Sequence, residues 1–96
     1  MTYRTTQQAD LDIADLYVAG ALRFGVGQAE GYQDGLFDTL HLLAANPLMA
    51  RLRREFQRPV RLHRYKAHVV VYTADDAGIL VIRVLHGRQD WKRHLP

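Results

Sequence analysis

Ala9, Ile13, Leu16, Tyr17, Gly20 and Phe24 recur at spacings of three and four residues, which draws one apolar stripe along a helix. Asp10, Asp12 and Asp15 fall largely off that stripe and sit in the first turns, where the helix dipole favours anions. Thr5 or Thr6 offers an N-cap, and Gln8, three residues beyond Thr5, completes a capping box, so the helix is expected to begin near Gln7. Gly25-Val26-Gly27 ends it, and a second stripe follows through Ala29, Tyr32, Leu36, Leu40 and Leu43 until Asn46-Pro47 stops it. Two helices joined by a short glycine turn predict an antiparallel hairpin. Gly31 and Gly35 lie inside the second helix, where each costs roughly 1 kcal/mol relative to alanine. The expected reason is close approach to another helix or to a partner chain.

After Pro47 the period shortens to two, with Val60 and Leu62 alternating against Arg61 and His63. Two β-branched runs follow, residues 68–73 and 79–85, separated by the turn-forming Asp75-Asp76-Ala77-Gly78. They are nearly continuous rather than alternating, as in central strands covered on both faces. The helical hairpin can cover one face and leave the other for the C-terminus or a second protein. Residues 3–5 read as a short N-terminal strand, and residues 87–96 as a short helix or turn anchored by Trp91. The expected fold is α+β in one domain over residues 1–96: a short strand, an antiparallel α-helical hairpin, a three-stranded antiparallel meander and a short C-terminal helix or turn.

Charge changes this picture more than composition does. The net charge of +3 conceals an acidic half, residues 1–50 at −4, and a basic remainder at +7. Arg51, Arg53, Arg54, Arg58, Arg61, Arg64 and Lys66 face only one acid, Glu55, between positions 51 and 66. Such a segment suits an anionic partner, either nucleic acid or an acidic protein tail, or it is simply a solvated basic strand. There is no cysteine, which excludes disulfides and thiolate metal sites. The N-terminus lacks the apolar region of a signal peptide and no apolar run approaches a membrane span, so a cytoplasmic protein is expected.

The five histidines form no helical i, i+4 pair and fit no zinc spacing, and no phosphate-binding glycine loop follows a strand, so neither metal nor cofactor is expected. A serine-based triad is excluded by the absence of serine. The strongest constellation is the last: Arg83 on the final strand, then His86, Arg88, Asp90 and Trp91, with Arg61 and Arg64 available from the preceding strand. A basic rim with a histidine and an aromatic suits an RNA phosphate and a stacked base. It equally suits a protein partner, because arginine and tryptophan are enriched at interface hot spots, and Trp91 packed over the sheet among solvated charges is the plainest reading.

These residues also resemble a known family. Ala9, Asp10 and Leu11 through Ile13 and Tyr17, then Phe24-Gly25, Gln28-Ala29, Tyr32 and Leu36, look like the helical hairpin of ParE toxins, a branch of the RelE/ParE superfamily. Leu43-Ala44-Ala45-Asn46-Pro47 resembles the hairpin exit, and His68-Val69-Val70-Val71-Tyr72 with residues 82–91 resembles the core strands and the terminal His-Gly-Arg-Gln-Asp-Trp motif. The resemblance implies a toxin neutralised by a ParD-like antitoxin, which itself binds DNA, so that DNA contact is indirect. Members called ParE are generally described as poisons of DNA gyrase, whereas the RelE branch cleaves mRNA on the ribosome, and the shared fold does not choose between them. No tyrosine follows Tyr72, which counts against RNA cleavage; the rival ribonuclease would use Arg61, Arg83 and His86. On this reading Arg83, His86, Arg88 and Trp91 serve toxicity and the target, while Tyr17, Phe24, Tyr32, Arg54, Arg58, Arg61 and Arg64 meet the antitoxin.

Overall fold

The computed structural model describes residues 2–88 together with Arg93 and Leu95. Strand β1, Thr2–Thr5, leads into helix α1, Gln7–Phe24, and helix α2, Val26–Ala45. Strands β2, Leu52–Arg53, β3, Val60–Tyr65, β4, His68–Asp75, and β5, Gly78–His86, complete a five-stranded sheet of order β1-β5-β4-β3-β2. The expected meander is β3-β4-β5, antiparallel throughout, and β1 adds to it in parallel beside β5. Trp91 and most of the expected C-terminal helix or turn lie outside the described residues.

Helix α1 starts where the stripe predicts, but Thr6 alone is its cap. Its hydroxyl accepts the Ala9 N–H at 3.0 Å, and Ala9 stands where a capping box needs Glu or Gln. The inter-helix link is one residue, Gly25, at φ 94, and Val26 already belongs to α2, so the expected three-residue turn is shorter than foreseen. Gly35 approaches a strand, not a helix: a Cβ there would overlap the Tyr65 hydroxyl, whereas Gly31 has open space around it.

The helices cover one face of the sheet. Ile13 from α1 and Leu36, Leu40 and Leu43 from α2 bury against Val70, Tyr72, Ile79, Val81 and Val84. Each fully buried leucine contributes about 1.5–3 kcal/mol. On the other face Val60, Val69, Val71 and Leu85 form a smaller cluster, partly shielded by Phe56, Leu62, Ile82 and Leu95. Both faces of the central strands are thus covered, which is why their sequences run apolar without alternating.

Beyond β1 the outer edge of β5 is closed by α1. The Thr6 N–H donates to Val81 O at 3.0 Å, the Thr6 hydroxyl donates to Ile82 O at 2.6 Å, and the Val84 N–H donates to Asp12 Oδ2 at 3.0 Å. Val71 pairs with Arg83 and Tyr72 with Val81, so Ile82 is an extra residue on β5. Ile82 lies in the second-face cluster, and past the extra residue Val84 returns to the helix-side core and Leu85 to the second face, while Arg83 reaches Asp12 on α1.

Candidate functional site

The linked end of the helical hairpin meets the start of β4 and the end of β5 around a cavity of about 400 Å³. Helix α1 supplies Leu16, Ala19, Gly20, Arg23 and Phe24, α2 supplies Gln28, Ala29 and Tyr32, and Ala67, His68 and His86 close it from the sheet. Phe24, which lines this cavity, is 58% exposed, and its near neighbours in sequence at the hairpin tip, Leu22 and Val26, are 84% and 55% exposed. An apolar cavity with an exposed aromatic at its rim marks a binding surface more often than a solvated helix face.

A row of polar aromatics forms the floor. Tyr65, Tyr32, His68 and His86 meet edge to face in succession, with centroids 5.0, 5.5 and 5.3 Å apart. The Tyr32 hydroxyl accepts the Ala67 N–H at 3.2 Å and shares a 2.7 Å hydrogen bond with His68 Nδ1. Burial, assisted by His86, holds the His68 pKa below its ordinary value, and burial raises that of Tyr32. The Lys66 ammonium stands 5.5 Å over the Tyr32 ring and 5.4 Å over that of Tyr65.

A second, more polar cavity of about 360 Å³ shares Leu16, His68 and His86 with the first and adds Gln8, Asp12, Asp15 and Arg83. Arg83 is already engaged there. Its Nε and Nη2 donate to the two Asp12 carboxylate oxygens at 2.8 and 2.9 Å, with side chains only 15% and 11% exposed, and these bonds raise its pKa further.

The sequence-based site residues separate into groups. Arg83 and His86 line the second cavity, and the His86 Nδ1 accepts the Arg88 N–H at 3.1 Å. The Arg64 guanidinium lies beside Gly87, so it joins this terminal group. Arg61 does not, because its Nη1 donates to Ala50 O at 2.6 Å and ties β3 to the chain entering β2. Arg54 and Arg58 stand exposed on the loop between β2 and β3. Phe24 and Tyr32 line the first cavity; Tyr17 is half-buried and lines neither. His68 was not among the sequence-based site residues, and only its place at a strand start, opposite His86, could have suggested it. Among the described residues no three His, Cys, Asp or Glu side chains come together as a metal site.

Fold and site define a small α+β protein that presents an apolar cavity at a hairpin tip and an arginine-rich sheet edge, surfaces suited to a protein partner. The family described as "ParE toxin of type II toxin-antitoxin system, parDE" matches residues 3–91, and the chain belongs to that family. It is 30% identical over 93 residues to Toxin ParE1 of Caulobacter vibrioides, covering 97% of this chain and 96% of that one. It is also 31% identical over 94 residues to Toxin ParE1 of Mycobacterium tuberculosis H37Rv, with the same coverage. Among solved structures, the "Chromosomal ParDE TA system from P. aeruginosa" shares the fold at TM-score 0.71 and 19% identity, over 90% of this chain and 95% of that one.

Proposed function

We propose that this toxin is held inactive by direct binding of a ParD-like antitoxin and, once free, acts without catalysis by inhibiting DNA gyrase. The observation that carries the antitoxin half is the cavity at the hairpin tip with exposed Phe24 at its rim. Apolar anchors from a partner segment fill it, and the neighbouring arginines attract that segment's carboxylates. The absence of catalysis is supported by how the candidate cations are occupied. Arg83 is neutralised by Asp12 and Arg61 is committed to a backbone carbonyl, so two of the three residues of a ribonuclease site have structural work.

One observation favours the rival reading, a ribosome-dependent endoribonuclease: His68 and His86 stand together beside Tyr32, over whose ring the Lys66 ammonium lies. Two assays separate the readings. Purified toxin is expected to inhibit supercoiling of relaxed plasmid by gyrase and its expression to induce DNA-damage signalling. Cleaved mRNA on ribosomes with supercoiling intact would reverse the ranking.

A further inference from the structure

The two edges of the sheet are treated differently. On the β5 side the stretch just past β1 is bonded to the start of the hairpin, by Thr6 to Val81 and Ile82 and by Asp12 to Val84. On the other side β2 is two residues long and pairs only with Val60 and Arg61. The chain that precedes it does not continue the ladder: Ala50 is buried in the helix-side core and its carbonyl accepts from the Arg61 guanidinium. Among the described residues no strand lies against the outer edge of β3 at 62–65, so alternate N–H and C=O groups there face outward without a ladder partner.

The side chains along this edge specify what it accepts. Leu62 belongs to the second-face cluster, where Phe56 beside it is also only partly buried, and Tyr65 belongs to the opposite core. Arg64 and Lys66 are exposed at the far end, and Arg54 and Arg58 at the near end. No carboxylate stands among residues 56–66. An added strand therefore meets an apolar strip on one face and positive charge at both ends. Backbone pairing supplies affinity in such additions and alternate side chains supply selectivity.

We propose that the outer edge of β3 at 62–65 is a strand-addition site that takes an extended segment of a partner protein in which apolar and acidic residues alternate. The apolar residues of that segment extend the cluster around Leu62 and Phe56, and its carboxylates meet the exposed arginines. Where the partner is the antitoxin, the inference rests on the function proposed above; the edge itself does not.

Two probes keep those apart: the product of the reading frame adjoining this chain's own, co-expressed with it, and a short synthetic peptide alternating glutamate with valine. Hydrogen exchange of the 62–65 amides is read with each. Either bound species is expected to slow this exchange by about tenfold or more. Methylating the peptide backbone N–H groups one at a time is expected to weaken binding at every second position only, the signature of a strand whose alternate amides face its neighbour. Slowed exchange with the peptide, while the adjoining product fails to bind, supports the edge and removes the antitoxin reading. A bound adjoining product that leaves 62–65 exchanging as in the free chain, or a peptide whose binding shows no two-residue period, overturns the edge and leaves the antitoxin reading standing. Protection at the hairpin tip alone also overturns it.

Discussion

Asp12 holds three donors at once, two from the Arg83 guanidinium and the Val84 N–H, and so fastens α1 to β5 where β1 ends. Removing the carboxylate leaves a mostly buried guanidinium and a strand N–H without their acceptor. Asp12→Ala is therefore expected to lower unfolding free energy by about 3 kcal/mol, read from urea midpoints at constant slope. The double replacement Asp12→Leu with Arg83→Met should recover most of that loss. If Arg83 instead served a target alone, Asp12→Ala would leave stability unchanged. His68 carries a different dependence. Burial lowers its folded pKa from the ordinary 6.5, so below that pH the unfolded chain binds a proton that the folded chain refuses. Stability is accordingly full above 6.5 and declines as pH falls from there toward the folded pKa. Thermal midpoints across this window are expected to fall more steeply for the native chain than for His68→Gln, and parallel curves would remove His68 as the cause.

Within α2 the two glycines were alike in sequence and are opposite in structure. Gly35→Ala forces a methyl against the Tyr65 hydroxyl, which donates to Tyr32 O at 2.8 Å, and is expected to cost about 1–3 kcal/mol. Gly31→Ala meets nothing and is expected to gain up to about 1 kcal/mol from helix propensity. Denaturation of the two variants side by side checks the contrast; equal losses would refute it. This pair also shows what a sequence carries. The stripes from Ala9 to Phe24 and from Ala29 to Leu43, and the β-branched runs after His68, encode elements through local period, and both helices and all three meander strands lie where that period places them. Strand β2 was invisible because Leu52-Arg53 is too short for alternation and sits among arginines. The parallel pairing of β1 with β5 and the Asp12–Arg83 clamp depend on residues more than 70 positions apart, which no local pattern encodes, and the bulge at Ile82 interrupts the two-residue period itself. The terminal motif read as one cluster for the same reason: sequence placed Arg83 near His86 but could not show that Asp12 already occupies it.

At the scale of the whole molecule, charge and apolar surface are divided between regions. The half containing the hairpin carries −4, and the remainder, with the β2–β3 segment at its head, +7. Leu22, the most exposed of the large apolar side chains among the described residues, and Phe24, which lines the cavity, stand at the hairpin tip, whereas Arg54 and Arg58 stand on the β2–β3 loop. A partner that wraps the toxin therefore meets steering charge in one place and desolvated anchors in another, and the two control different rate constants. Arg61 is unsuitable for testing the charge, since its hydrogen bond to Ala50 O makes it part of the fold. Arg54→Glu with Arg58→Glu is expected to slow association with the antitoxin by about tenfold at low salt and to flatten its salt dependence, with dissociation little changed. Leu22→Ser with Phe24→Ser should shorten the lifetime of the complex and leave the association rate near its original value. Stopped-flow association and surface-captured dissociation across a salt series measure both. Should the two double variants act on the same rate constant, or the arginine pair change neither the association rate nor its salt slope, the β2–β3 loop would not be where the antitoxin first docks, and the basic charge there would fit a nucleic acid better.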